Sequence, residues 1–478
     1  MLKSLRQLVL PRLLETAQGR LLASFAALLA ALQAPRQINS DTWLNLVLGR
    51  EIAASGLIRH NDLTAEAAGA RWIDQQWLAH LVHYWLAQLL GLPGLVLIAS
   101  LLGSLSLLAA AEHALRNGAS PGRTLLAGTL ALGALLPQSV RAQTFALPLL
   151  AFSLCRLDSD ARSPSRRTWW LVPCAALWGN LHGSALLAPA LALLLAMTRL
   201  LEARRWQLFA RDLLLAACLA AALLLSPYGL GLLGYYAGIL GNSEFRVHVG
   251  EWAPLPIAGE PTKSLLVALV LAAAVLGARR ARSFPLAVCA GFALLTLRSG
   301  RHATPLALAS AAFLPAIADT VLGQRLRLEA DRAVRRGSRR ILAAAVLGSC
   351  IATPLLARHT LRVDLPAGFS DRVALAARSA TRVLADEHHA DRLLWYHPEL
   401  RGRLSHDVRF ELLSPAFLQS LTQLYGFPEA ASAQAWLSRY DLVVVDREQH
   451  GPLWQWLRND LGWREIAADR WTAAFSRR

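Results

Sequence analysis

Apolar residues along this chain fall in long blocks, not in the two-residue alternation of a half-buried strand or the one-sided stripe of a water-facing helix. Residues 95–111, 184–197, 213–225, 265–277 and 341–356 are rich in Ala, Leu and Val and carry almost no charge. Each approaches the roughly 17 to 25 residues that a helix needs to cross a bilayer. Shorter blocks at 21–34, 125–137 and 169–180 continue the series and predict about eleven spanning helices. The pattern changes after residue 357: residues 358–478 are polar and mixed in charge, with no block long enough to span. Within them "DLVVVD" at 441–446 reads as a buried strand and 392–396 as another, alternating with helical patterns at 371–388, 415–425 and 453–461. The chain therefore predicts an all-α polytopic membrane bundle at 1–357 and a C-terminal soluble α/β domain at 358–478, roughly 100 residues or a little more.

Charge sets the orientation. The 49 Lys and Arg outnumber the 32 Asp and Glu, for a net +17, but the excess is almost all arginine, with lysine only at Lys3 and Lys263. The arginines cluster between apolar blocks, at 116–123, 156–167, 199–211, 279–282 and 325–340. A positive-inside distribution explains this and places all five connectors with the N-terminus in the cytoplasm. No aromatic-plus-basic motif of an RNA-binding module accompanies them, so nucleic acid is not a partner. The trace requires that residues 72–90, which include Asp74, Gln75, Gln76, His80, His83 and Gln88, do not cross; they read as an interfacial helix anchored by Trp72, Trp77 and Trp85. An odd number of crossings then puts the C-terminal domain on the extracytoplasmic side. Lys3, Arg6 and Arg12 mark a short amphipathic N-terminal segment, and the block at 21–34 lacks a small-residue cleavage site, so it reads as a retained signal anchor. Cys155, Cys174, Cys218, Cys289 and Cys350 all lie in apolar stretches without CxxC spacing and read as small buried hydrophobes.

The first outer loop, 35–91, holds the first candidate chemistry. In "NSDTWLNLVLGREIAASGLI", Trp43, Leu44, Val47, Leu48 and Ile52 recur at helical spacing with Asn45, Arg50 and Glu51 opposite, which predicts an amphipathic helix on the membrane surface with Asp41 at its N-cap. A carboxylate just outside the first crossing can act as a general base or bind a divalent cation where a lipid phosphate presents its head group. The competing role for Asp41 is capping alone.

The layout of one spanning helix, an acidic residue, an amphipathic helix, a Trp-rich second interfacial helix and a long helix array resembles the GT-C class of integral-membrane glycosyltransferases. "DTWLNLVLGREIAASGLI", "WIDQQWLAHLVHYWLAQLLG", "WGNLHG", "SPYGL", "EW" and "PELRGRLSHDVRFELL" resemble an uncharacterised bacterial group within that class. The resemblance implies a multi-pass protein of the bacterial inner membrane that transfers a sugar from a polyprenyl-phosphate-linked donor, on the outer face, to a glycan or lipid acceptor. It implies Asp41 as the base, and a divalent metal, Mg or Mn, on Asp41 is the one cofactor it admits. Two positions depart from the class pattern: Arg141 stands in "QSVRAQTF" where many members have an acid, and Asn45 where relatives in the group often have His.

Further polar residues near membrane depth are candidates because such groups are costly unless they line a cavity. Asn180 and His182 of "WGNLHG" would line a site with Asp41 or bond helix to helix. Arg141 would clamp the carrier phosphate or snorkel to the interface. Arg298, Arg301 and His302 of "LRSGRHATP" would hold the phosphate or pair with Glu244 or Glu251. Glu251 and Trp252, in a loop read at 226–261, would supply a second acid and a sugar-stacking ring or pin that loop at the interface. Asp62 and Asp74 read as solvated turn residues. No Walker A, GxGxxG, HExxH or Ser-His-Asp signature is present, which removes ATPase, dinucleotide and hydrolase readings. The alternative function is non-catalytic: a transporter or flippase-like protein, or a scaffold of envelope polysaccharide assembly. The absence of an obvious inverted repeat weighs against the transporter.

Overall fold

The computed structural model describes residues 12–34, 38–135, 139–203, 205–241, 250–256, 259–323, 332–363, 367–379, 382–387, 389–460 and 462–477. The amphipathic N-terminal segment, Glu244 and part of the 325–340 connector lie outside these residues. Helices dominate: α1 (Ala17–Gln33), α2 (Ser40–Ser55), α3 (Trp77–Arg116), α4 (Pro121–Leu135), α5 (Gln143–Arg162), α6 (Leu171–Leu181), α7 (Leu187–Ala203), α8 (Trp206–Leu223), α9 (Gly231–Gly241), α10 (Pro261–Gly277), α11 (Ser283–Arg298), α12 (Ala303–Leu322) and α13 (Arg332–Val363). Among the described residues five helical stretches are long and apolar enough to cross a membrane, Trp77–Arg116, Gly183–Glu202, Trp206–Leu223, Gly300–Leu322 and Gly337–His359, and this is a multi-pass membrane protein.

The 40-residue α3 is two helices joined at a kink, where Gly91 takes φ 67° and Pro93 follows. A positive φ suits Gly, and Pro removes a helical donor, so the break falls where these residues stand. Small residues let the helices approach closely. A Cβ on Gly49 of α2 would sit 2.2 Å from the His80 carbonyl oxygen of α3.

One end of the bundle is closed by ion pairs. The fully buried Asp160 of α5 accepts from Arg199 at 3.0 Å, from both terminal nitrogens of Arg211 at 2.9 Å and from the Ser165 amide at 2.8 Å. Asp158, two residues earlier and so on another face of α5, accepts from His113 at 2.7 Å and Arg282 at 2.9 Å, and also pairs with Arg162. Asp319 of α12 pairs with Arg123 and accepts from the Ser120 amide at 2.7 Å. Arg20 of α1 donates to Ser338 of α13 at 2.8 Å. The basic connectors thus gather at a single end, and many of their arginines neutralise buried carboxylates, a role their simple count does not reveal.

The α/β domain follows from α14 (Ala367–Ala377) and continues through α15 (Ala390–Tyr396), α16 (Pro415–Gly426), α17 (Ala431–Leu437) and α18 (Gly451–Asn459). Strands β1 (Val383–Ala385), β2 (Leu442–Asp446), β3 (Trp463–Ala468) and β4 (Thr472–Arg477) form one sheet in the order β1-β2-β4-β3, with β1 and β2 parallel and the other pairs antiparallel. Two expectations are corrected. Residues 392–396 belong to α15, not to a strand: residues 390–394, Asp391 and Arg392 included, are all buried, so no solvent-facing side reveals the helical period. The helix expected over 371–388 ends at Ala377, and Val383–Ala385 is a fully buried strand too short to register as one.

The first outer loop lies between bundle and domain. Helix α2 is buried almost all round, from Thr42 to Gly49, and does not rest on a lipid surface. Its Arg50 donates to the Leu394 and Trp395 carbonyls at 2.9 Å, and Trp43 packs on Tyr396 at 5.7 Å. The polar face that suggested water therefore meets the C-terminal domain. The segment 72–90 differs in part: the helix begins at Trp77, Trp72, Asp74, Gln75, His80 and His83 are buried among protein, and Trp85, Leu89 and Leu90 stay exposed before the break at Gly91. Asp74 is not a solvated turn residue, for it bonds His80 Nδ1 at 3.0 Å; Asp62, by contrast, is exposed and pairs with Arg401.

Candidate functional site

At the end opposite the ion-paired connectors, Asp41 sits in the first turn of α2. It is not the N-cap: Asn39 is, forming a reciprocal capping box with Thr42. Thr42 Oγ also donates to the Val140 carbonyl at 2.9 Å, which brings the turn before α5 against α2. Arg141 on that turn lies 3.6 Å from the Asp41 carboxylate and pairs with Glu251. Burial works to lower the Arg141 pKa, but the flanking carboxylates of Glu251 and Asp41 raise it further. Burial likewise works to raise the Glu251 carboxyl, and the Arg141 guanidinium with Arg301 and Lys263 holds it below its ordinary value.

The 3-10 turn Gly250–Trp252 is tied to the end of α11: Ser299 Oγ donates to the Glu251 carbonyl at 3.1 Å and the Gly300 amide to Ala253 at 3.0 Å. This seats Trp252 under Arg301, whose guanidinium lies 4.0 Å from the ring centroid. Trp252, Arg301, His302 and His182 share the wall of a cavity of about 350 Å³. His182 caps the turn after α6 by accepting the Ser184 amide on Nδ1 at 3.1 Å, so a neutral ring carries its proton on Nε2. Burial, then the charges of Arg301 and Arg141, push its pKa down to about 3, and the ring is uncharged at neutral pH.

Five expected residues are not in the lining of this cavity: Asn180, Arg298 and the ionic group Asp41, Arg141 and Glu251. Asn180 is spent on protein: it accepts from Trp77 Nε1 at 2.8 Å and donates to the Ala176 and Leu225 carbonyls at 2.8 Å, fixing α6 to the start of α3 and the end of α8. Arg298 is exposed and is not part of the cavity lining. Asp41, Arg141 and Glu251 form its neighbouring ionic edge, reached through the adjacent Trp252.

Other wall residues escaped the sequence reading. Tyr235 and Tyr236 come from α9, an eleven-residue helix inside the stretch read as a loop. Glu411 comes from the C-terminal domain, where it accepts from Trp72 Nε1 at 3.0 Å, and burial raises its carboxyl above the ordinary range. It is solvent-accessible inside the cavity while protein surrounds it on most sides. The stretch "DVRFELL" was the only sign of it. Among the described residues no three His, Cys, Asp or Glu side chains converge to hold a metal ion. The two edge carboxylates share a guanidinium instead, so this donor set does not fit the divalent ion considered from the sequence.

Comparison with solved structures places the architecture. The chain is similar to ArnT from Cupriavidus metallidurans in the apo state, at 15% identity over 95% of this chain and 97% of that one, with TM-score 0.52. It is also similar to the archaeal oligosaccharyltransferase AglB from Archaeoglobus fulgidus, solved with an inhibitory peptide and a dolichol-phosphate, at 12% identity over 89% of this chain and 69% of that one, with TM-score 0.52. No family model and no curated protein sequence matches. The fold is that of the GT-C class of membrane glycosyltransferases.

Proposed function

We propose that the chain is a membrane glycosyltransferase that takes its sugar from a polyprenyl-phosphate-linked donor and passes it to a glycan or lipid acceptor on the outer face of a bacterial inner membrane. The observation that carries this reading is the meeting, at the end away from the basic connectors, of an ionic edge (Asp41, Arg141, Glu251) and a cavity with aromatic and hydrogen-bonding walls (Trp252, Tyr235, His182, Glu411). Positive connectors face the cytoplasm, so that end is outside, and about eleven helices link the two ends. The N-terminus is then cytoplasmic and the α/β domain extracytoplasmic.

In the chemistry this supports, the acceptor hydroxyl attacks the anomeric carbon while Asp41 removes its proton. The sugar-phosphate bond breaks with its electron pair leaving on the phosphate oxygen. Arg301 and Arg141 neutralise that developing charge, with Glu251 holding Arg141 in place. Trp252 presents a ring to the sugar, and His182 donates from Nε2. Asn180 positions the helices behind the wall, and no step passes through a metal. The test is release of free polyprenyl phosphate from a panel of polyprenyl-phosphate sugars by the full chain in proteoliposomes. Turnover by the wild type and its loss in Arg301→Gln are expected. The reading fails if the wild type turns over no donor together with any acceptor extract, or if Arg301→Gln works as well as wild type.

A further inference from the structure

The ion-paired end of the bundle holds a second cavity, about 380 Å³, as large as the one at the opposite end. Its lining includes Asn117, Asp158, Arg162, Arg282, Phe313 and Thr320. Asp319, also on the wall, is engaged by Arg123 and by the Ser120 amide and hydroxyl at 2.7 and 2.9 Å. Asp158 is 3% exposed and is surrounded by His113, Arg162 and Arg282. The wall itself carries two guanidiniums (Arg162, Arg282) and two carboxylates (Asp158, Asp319), and Arg123 pairs with Asp319 from outside the lining.

The positive groups are on the open side. Both carboxylates are turned into the wall, whereas Arg162 and Arg282 keep 30% and 43% of their side-chain surface accessible. A guanidinium carries five N–H groups in a planar fork, and the bonds of Arg282 to Asp158 use only its Nη1. The fork matches a phosphate better than a monovalent halide because two parallel N–H groups meet two oxygens. Asn117 and Thr320 add neutral hydrogen-bonding groups at the same opening, and Phe313, Pro285 and Ile317 give the cavity an apolar back wall. Orientation by the positive-inside rule requires only that arginines be present in these connectors. It does not require that two of them be fixed by a buried carboxylate around a half-open chamber.

We propose that this cavity is a binding site for a phosphate-bearing anion, held by Arg162 and Arg282 between α5, α11 and α12. The proposal does not depend on sugar transfer at the other end. Two sources share the chemistry, the head group of an anionic phospholipid and a soluble phosphate, and the experiment separates them. The full chain, purified in neutral detergent and stripped of lipid, is titrated with short-chain phosphatidylglycerol, short-chain phosphatidylcholine or inorganic phosphate, with the thermal unfolding midpoint as readout. Phosphatidylglycerol raising the midpoint where phosphatidylcholine does not identifies a lipid head group; inorganic phosphate raising it equally identifies a soluble anion. In either case Arg282→Gln weakens the half-saturating concentration roughly tenfold or more, the loss expected for a charge-assisted hydrogen bond. Asp158 keeps His113 and Arg162 in that variant, so the fold is retained. Arg280→Gln, which removes the same charge from the exposed neighbouring turn outside the cavity lining, leaves the titration unchanged. No shift with any ligand overturns the proposal, and so does an equal effect of Arg280→Gln and Arg282→Gln, which would mean diffuse surface attraction.

Discussion

Replacing Asp41 by Asn removes a carboxylate and keeps the shape of the side chain, and the structure separates its effect on rate from its effect on stability. The Asp41 side chain is 39% exposed and its ion pair with Arg141 is 3.6 Å long, so its loss costs about 0 to 1 kcal/mol of stability. Helix α2 keeps its cap, because Asn39 and Thr42 make the capping box without Asp41. As the base in sugar transfer, however, Asp41 supplies about 10² to 10⁴ in rate, or about 3 to 5 kcal/mol of barrier. The expected outcome is a fall of at least about 100-fold in polyprenyl phosphate release by proteoliposomes, with an unfolding midpoint close to wild type. Asn39→Ala is the complementary control: it loses the cap, costs about 1 kcal/mol, and leaves the rate per folded molecule intact. An Asp41→Asn protein that folds and turns over donor within a few-fold of wild type would refute the assignment of the base.

Three further outcomes are expected. His182 is held at about 3 in the folded chain against 6.5 as its ordinary value, so between those values the unfolded state binds more protons. Stability contributed there is present above 6.5 and declines as pH falls towards 3; His182→Gln flattens that part of the midpoint-versus-pH curve, and parallel curves for the two proteins contradict it. Glu411→Gln imitates the protonated acid that burial favours and keeps donor turnover, whereas Glu411→Ala, which leaves the Trp72 indole without its acceptor, lowers turnover about tenfold; equal losses in both variants count against a hydrogen-bonding role. Gly49→Ala forces a methyl group into the His80 carbonyl and destabilises by about 1 to 3 kcal/mol, read as a lowered unfolding midpoint; an unchanged midpoint would mean that α2 and α3 are not in tight contact.

The sequence is informative wherever a single long signal decides the matter. Uninterrupted apolar blocks announce the bundle, and "DLVVVD" announces β2, the central parallel strand. The amphipathic reading of α2 misled for a definable reason: Arg50 and Glu51 are polar because carbonyls of α15 and the Arg401 side chain meet them, and a composition cannot tell a protein surface from water. Asp74 and His80 were read as wet for the same cause, since their partner is each other. Within the candidate site, Asp41, Arg141, Glu251 and Trp252 were visible as polar or aromatic residues flanking spanning blocks. Tyr235 was hidden by the shortness of α9, and Glu411 lies more than two hundred residues from Arg141, a separation that no local pattern bridges. Likewise, the pairing of arginines with Asp158, Asp160 and Asp319 joins segments far apart in the chain.

The sheet order has a bearing on biosynthesis. Strand β4 follows the three other strands in the sequence but lies between β2 and β3, and the domain it completes carries Val408, Phe410 and Glu411 onto the chamber wall. During translation the helices emerge first, so a nascent chain holds Asp41, Arg141 and Arg301 in place while that wall is still being made. Its substrate chamber therefore closes late, and a ribosome stalled before residue 472 would leave behind a helix bundle whose α/β lid lacks an interior strand.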